Sequence, residues 1–401
     1  MRWWVLVLIS VCSSGSYYDY DAIAAVVELL HRQLGFSYSD IGLLNAVYSL
    51  PNIFVAFLGG VLVDRWGAAR VTVVTAIGCF VGTALVAASG HLWWMVLGRF
   101  LFGIGGETLF VATVTGVSQW FGGRQAALAM ALFFSFSRLG SYLADLSPQL
   151  FPSLFVTWQP PLILSSVVAG ASLVAAVGYA CLDRARRPAA SPPSDRVVIW
   201  RDLRTLNPGV WGLLVLGMLF YAVVFPFRST FAIEYFQSAK GLTLQQAGVT
   251  NSWVFFAAIF ASPVFGWLTD QVNRKALLLT AGMLSLALSF LLLGVLDGSL
   301  WTSTALVGFS YSLVPAVIWP AVAERVPARS LGATFGLMTI LQNLGMACAN
   351  MLVGWINDLA RAGSANPAGY HPMMVFFGLL SLAGGCIGAW MSIRERPRET
   401  P

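Results

Sequence analysis

The chain has 401 residues, of which 58% are hydrophobic and 10% charged, with a mean hydropathy of +0.76 and a formal net charge of +6. Water-soluble globular domains do not tolerate that composition, so the chain is read as an all-α polytopic membrane protein. The positive charge marks membrane topology, and binding to nucleic acid is not expected.

Apolar runs of about 20 residues, enough for a helix to cross roughly 30 Å of hydrocarbon, recur along the whole chain. They predict twelve transmembrane helices in two sets of six. The first set centres near Val11, Phe54, Ile77, Gly105, Phe136 and Val168, and the second near Phe220, Phe256, Leu288, Val314, Leu344 and Leu380. The opening MRWWVLVLISVCSSGS imitates a signal peptide, but it runs on through YYDYDAIAAVVELL. Its removal would leave an odd helix count, so it is read as the first span. Alternate loops carry Arg65, Arg70, Arg124, a cluster from Arg184 to Arg204, Arg274, Lys275, Arg325 and Arg329, against Arg32, Lys240 and Arg361 in the opposite loops. Positive charge accumulates on the cytoplasmic side, so both termini are expected there.

The second and eighth helices share Gly42, Asn45, Gly60 and Asp64 with Gly248, Asn251, Gly266 and Asp270, every pair offset by 206. Likewise Arg124, Arg138, Leu139 and Gly140 match Arg329, Asn343, Leu344 and Gly345 at an offset of 205. This internal repeat predicts a six-helix half over 1–182 and another over 209–394. A Pro- and Arg-rich cytoplasmic linker at 183–208 joins them, and a cytoplasmic tail at 395–401 follows.

Two charges fall deep inside apolar helices: Glu107 in GRFLFGIGGETLFVATV and Arg138 in LAMALFFSFSRLGSYLA. A charge at that depth is costly unless it faces a polar cavity or a partner, so the pair marks a candidate substrate pathway. Glu107 lies about 22 Å from the outer end of the fourth helix and Arg138 about 20 Å from the inner end of the fifth, which brings both to similar depth. A zwitterion offers an ammonium to the one and a carboxylate to the other, and Arg can grip a carboxylate with two parallel hydrogen bonds. The competing reading is a direct structural salt bridge between them.

The sequence Gly60-x-x-x-Asp64-Arg65-x-Gly67-x-x-Arg70, its echo Gly266-x-x-x-Asp270 with Arg274 and Lys275, and two six-helix halves with a basic connector resemble the major facilitator superfamily. In such a motif glycine lets neighbouring backbones approach, and the acid and arginines act as a cytoplasmic latch. Within that superfamily, GSYYDYD, NAVYSLPN, GRFLFGIGGETL, FSFSRLGS, YAVVFPF, SPVFG, GFSYSLVPAVIWP and LGATFGLMTILQNLG resemble the lysosomal dipeptide-transporter branch over nearly the whole chain. The resemblance implies the major facilitator fold and dipeptide transport by alternating access and uniport. It also implies Glu107 as the residue for the substrate ammonium, Arg138 for its terminal carboxylate, and an acidic role for Asp21. Thr113, Val114 and Arg228 depart from the branch, which puts side-chain selectivity in question. A proton-coupled drug or organic-anion carrier is the alternative.

Asp21, Tyr48, Asn251, Trp319 and Asn343 are further candidates for the pocket, since buried amides and acids need partners and aromatic edges suit variable side chains. Packing between helices is the competing reading for each. The sequence alone assigns no partners to Arg99, Asp145, Arg228 and Glu234. Five scattered cysteines and three histidines form no metal or nucleophile spacing, and no nucleotide-binding motif occurs, so neither cofactor nor enzymatic activity is expected. The expected partners are a small zwitterionic peptide and the lipid bilayer around a monomeric transport unit; an accessory membrane subunit would leave no mark in this chain. Without an N-x-[ST] sequon, and with short outer loops, a prokaryotic-type cytoplasmic membrane is the expected location.

Overall fold

The computed structural model describes residues 1–121, 124–186, 206–272, 274–296 and 298–394, excepting the side chains of Arg124, Asp270 and Arg329 among a few others. The chain divides into two compact units, Met1–Arg196 and Val197–Pro401. Most of the expected linker at 183–208 and all of the tail at 395–401 lie outside the described residues. The last helix of the first unit continues to Arg186, past the expected boundary.

In the first unit α1 (Arg2–Asp21) gives way to a 3-10 turn at Ala24–Val26 and the short α2 (Val27–Leu34). Then come α3 (Tyr38–Trp66), α4 (Ala68–Ala88), α5 (Leu92–Trp120), α6 (Arg124–Leu150) and α7 (Gln159–Arg186). The second unit opens in the same way. Here α8 (Pro208–Pro226) passes through a π-helical turn at Phe227–Phe231 into the short α9 (Ala232–Ser238). It continues with α10 (Leu244–Gln271), α11 (Lys275–Gly294), α12 (Leu300–Ala323), α13 (Ala328–Leu359) and α14 (His371–Arg394). Each unit thus begins with a broken span.

Among the described residues, nine helices are long and apolar enough to cross a membrane, or ten when the bent α3 counts as one. Neither α1 nor α6 is among them. These two carry Asp19 and Asp21, and Arg138 and Asp145, charged residues that lower their hydropathy. With them the helices pair off against the twelve expected segments. Large apolar side chains point outward, Phe54 and Val174 each at 73% exposure, as suits a surface solvated by lipid.

The two units repeat one packing plan. In the first, α1 packs on α6 and α7, α5 on α3 and α4, and α4 on α7; in the second, α8 packs on α13 and α14, α12 on α10 and α11, and α11 on α14. The repeat extends to single residues. A Cβ added at Gly140 would overlap the Ser14 carbonyl oxygen across the α1–α6 contact, and one at Gly345 would meet the Met218 carbonyl at 2.9 Å across α8–α13. Without a hydrophobic drive between helices in lipid, such close approach at small residues is what holds them together.

The turn before the second span also recurs. Gly35 and Gly241 have φ of +70° and +69°, left-handed values that side chains disfavour. Two residues later Ser37 and Thr243 each accept a hydrogen bond from the third backbone NH of α3 and α10, while Asp40 and Gln246 reach back to the cap. These capping boxes satisfy NH groups that a helix start otherwise leaves without partners.

Candidate substrate-binding site

Arg138 is placed by the contact between α1 and α6. Its neighbour Ser137 lies 2.7 Å, hydroxyl to hydroxyl, from Ser13, and Gly140 abuts Ser14 two residues on. Glu107 follows Gly105 and Gly106 on α5, and a Cβ at Gly106 would lie 3.1 Å from the Tyr48 hydroxyl on α3 and 3.4 Å from that of Ser16 on α1. Both charged side chains are half-buried. Phe110 on α5 meets Phe134 on α6 with ring centroids 6.2 Å apart, and Tyr17 on α1 at 6.3 Å. The helices run in opposite directions. Three residues before Phe110 and four after Phe134 are rises of about 4.5 and 6 Å toward the same end, so Glu107 and Arg138 lie within about 1.5 Å in depth. Glu107 forms no ion pair among the described residues.

About 12 Å away along α5, eight residues before Glu107, Arg99 is buried at 2% exposure. Its Nε donates to the Leu44 carbonyl at 3.3 Å, Nη1 to the Asp19 carbonyl at 3.4 Å, and Nη2 to Asn45 Oδ1. The guanidinium carbon stands 5.5, 5.4 and 5.4 Å from the ring centres of Tyr20, Tyr48 and Phe102. Such contacts attract a desolvated cation. Tyr48 also packs on Tyr20 and Phe102, at 4.6 and 5.2 Å between centroids. Asp19 takes the Ser165 hydroxyl on Oδ1 at 2.7 Å, and Asp21 ends α1 at 1% exposure. The structure therefore places Tyr48 between two tiers: the Arg99 cluster on one side and the neighbour of Glu107 on the other.

The second-unit candidates are more dispersed. Asn251 donates to the Arg228 carbonyl at 3.1 Å, beside the π-turn. Its repeat partner Asn45 serves Arg99 instead. Asn343, the counterpart of Arg138, is 2% exposed and donates within its own helix to the Thr339 carbonyl at 3.0 Å. Trp319 is half-buried against Phe335 at 5.0 Å. Two of the charges without assigned partners acquire surroundings: Arg228 lies 4.0 Å over the Phe255 ring, and Glu234 accepts from Ser238 at 2.8 Å and Tyr370 at 3.4 Å.

At the α3–α4 junction Asp64, Arg65 and Arg70 are exposed, and Arg274 is exposed at the start of α11; the side chain of Asp270 lies outside the described residues. The close approach expected at Gly60 is not made there. Cβ atoms at Gly60 and Gly266 would meet nothing within 4 Å among the described residues, whereas one at Gly59 would lie 3.5 Å from Thr108. No group of His, Cys, Asp and Glu that could hold a metal occurs among the described residues.

Sequence reasoning missed Asp19, Asn45 and the cation cluster around Arg99. One signal was available: Asp19 and Asp21 share YYDYD, and two acids so close in an apolar span need a nearby cation.

Two repeated helical units, with acid and guanidinium at one depth in the first, define a membrane carrier. The Major Facilitator Superfamily model matches residues 9–248 and 213–401. The chain belongs to that superfamily. It is 32% identical over 394 residues to the lysosomal dipeptide transporter MFSD1 of Danio rerio, covering 93% of this chain and 83% of the relative. Identity to the Homo sapiens protein of the same name is 31% over 393 residues, covering 93% and 82%. Among solved structures, the nucleoside transporter NupG (D323A mutant) superposes with a TM-score of 0.81 at 12% identity, over 96% of this chain and 99% of that one, a likeness of fold.

Proposed function

We propose that the protein carries small zwitterionic peptides, dipeptides foremost, by alternating access and as a uniporter. Glu107 holds the peptide ammonium and Arg138 its carboxylate, while the walls, Tyr48, Asn251, Trp319 and Asn343 among them, read side chains loosely. The single observation that carries this reading is the equal depth of Glu107 and Arg138 on antiparallel α5 and α6, with Glu107 in no ion pair among the described residues. The relatives named as dipeptide transporters support it. Asp21 contributes from the outer end. Gly60, Asp64, Arg65 and Arg70, with Gly266, Asp270 and Arg274, form the cytoplasmic latch. The carrier works in a prokaryotic-type cytoplasmic membrane with both termini inside, importing external peptides.

Uptake into proteoliposomes tests the site. Dipeptides compete, while N- or C-blocked peptides fail because one buried charge then lacks its counterpart. Competition by monocarboxylates or lipophilic cations with equal strength would overturn the reading in favour of an organic-anion or drug carrier.

A further inference from the structure

Beside Glu107 two hydroxyls from different helices converge on a residue without a side chain. A Cβ at Gly106 would lie 3.1 Å from the Tyr48 hydroxyl of α3 and 3.4 Å from the Ser16 hydroxyl of α1, and Glu107 is the next residue on α5. Glu107 and Tyr48 are also near enough for the charge of the one to act on the other. Neither hydroxyl makes a hydrogen bond among the described residues, and Ser16, like Glu107, is half-buried. The first unit therefore gathers three oxygen-bearing side chains around one turn of helix, one each from α1, α3 and α5.

The Tyr48 hydroxyl is held in place by its ring. Tyr20 and Phe102 pack on that ring at 4.6 and 5.2 Å, and Arg99 stands 5.4 Å from its centre, itself tied by hydrogen bonds to the Leu44 and Asp19 carbonyls and to Asn45. A group fixed in this way meets a ligand without first losing conformational freedom. The arrangement belongs to the unit that carries the charges. At the offset of 206 the repeat has Val254 in the place of Tyr48, a side chain with no polar atom.

A free peptide amino terminus is a primary ammonium, with three N–H donors arranged as in lysine. Withdrawn from water, each donor needs an acceptor, and a carboxylate on one side of the nitrogen does not reach them all. Serine and tyrosine hydroxyls accept through their lone pairs. We propose that Ser16 and Tyr48 complete, with Glu107, a three-acceptor cradle that selects a primary ammonium. The carrier then takes peptides with an unmodified, non-prolyl amino terminus and discriminates against N-methylated and N-terminal proline peptides, whose secondary ammonium presents only two donors. The extra carbon faces a hydroxyl that has lost its donor. For transport this rests on the peptide-carrier reading; the preference of the cradle for a primary amine does not.

Uptake of Ala-Ala and of N-methyl-Ala-Ala by proteoliposomes tests it. Wild type takes up Ala-Ala with a KM about tenfold lower, as one hydrogen bond to a charged group dictates, at similar maximal rates. Tyr48→Phe keeps the ring and its contacts, and Ser16→Ala removes only the other hydroxyl. Each variant raises the KM of Ala-Ala about tenfold and leaves that of N-methyl-Ala-Ala within about twofold, so the preference vanishes. Equal KM values in wild type, or variants that slow both peptides in proportion as a loss of packing does, would overturn the inference.

Thermal unfolding of the detergent-purified full chain separates the cradle from the transport reading. Alaninamide, a primary ammonium without a carboxylate, raises the wild-type melting temperature more than N-methyl-alaninamide at the same concentration, because it binds the folded state more tightly. In Tyr48→Phe the two shifts are equal. That result with no uptake of either dipeptide would uphold the cradle and sink the peptide reading. Equal shifts in wild type, no shift by either amine, or an unchanged preference in Tyr48→Phe would overturn the cradle even if dipeptides are carried.

Discussion

The two units share helix order, broken first spans, capping boxes and the glycine contact between their first and fifth spans, yet they differ in charge. Where the first places Glu107 and Arg138 at one depth, the repeat puts Ser312, near enough in register to Glu107, and Asn343. Both substitutes bond within their own helices, Ser312 to the Gly308 carbonyl and Asn343 to that of Thr339. A buried polar group that satisfies itself in this way can be kept at little cost, whereas a membrane-embedded charge persists only with a function or a partner. The scaffold is repeated, and on the proposed reading the substrate-binding charges stand in one copy.

The largest expected effect breaks that asymmetry. Glu107→Ala and Arg138→Ala should each lower dipeptide uptake by about two to four orders of magnitude, given roughly 3–5 kcal/mol for a lost charge partner, with expression unchanged. Proteoliposome uptake checks this, and wild-type-like rates in either variant would refute the site. The reverse experiment puts a charge into the neutral copy. Asn343→Arg should cost about 2.5–3.5 kcal/mol as a mid-membrane charge, seen as a lower melting temperature and no gain of transport.

Next come changes that treat the copies alike. Gly140→Leu and Gly345→Leu should each destabilise by about 1–3 kcal/mol through overpacking. Gly140 should suffer more, since its three nearest obstacles are all Ser14 backbone atoms, whereas Gly345 also meets the flexible Met218 and Ala222 side chains. Melting curves of the two variants side by side decide it. Smallest is the asparagine pair. Asn45→Ala removes an acceptor from a guanidinium, about 1.5–3 kcal/mol, and Asn251→Ala a donor to a neutral carbonyl, about 0.5–1.5 kcal/mol. Equal losses would mean that the repeated amides do the same job in both units.

Much of this was legible in the residues. Helix length and apolar runs locate the spans, constant offsets reveal the repeat, and the similar depth of Glu107 and Arg138 follows from counting along opposed helices. What escaped depends on three-dimensional contact. The break after Asp21 has no local mark, because Ala22, Ile23 and Ala24 include good helix formers. In the second unit Pro226 stands directly before the π-turn, where proline-associated distortion is expected. Asp19 and Asp21 both lie within α1, where positions two apart project to nearly opposite sides of the helix, so spacing alone gave no reason to expect both buried. Spacing along a motif likewise does not say which face of a helix meets a neighbour: among the described residues Gly59, and not Gly60, lies against one.

The repeated capping boxes bear on how the protein is made. Ser37 with Asp40, and Thr243 with Gln246, close the exposed ends of α3 and α10 using only their own first turn. A helix that supplies its own terminal hydrogen bonds does not depend on a later packing partner, α5 for α3 and α12 for α10, to satisfy those groups. Each half thus has, at its second span, a helix start closed by local bonds alone, and the later helices of that half can form against an end that is already complete.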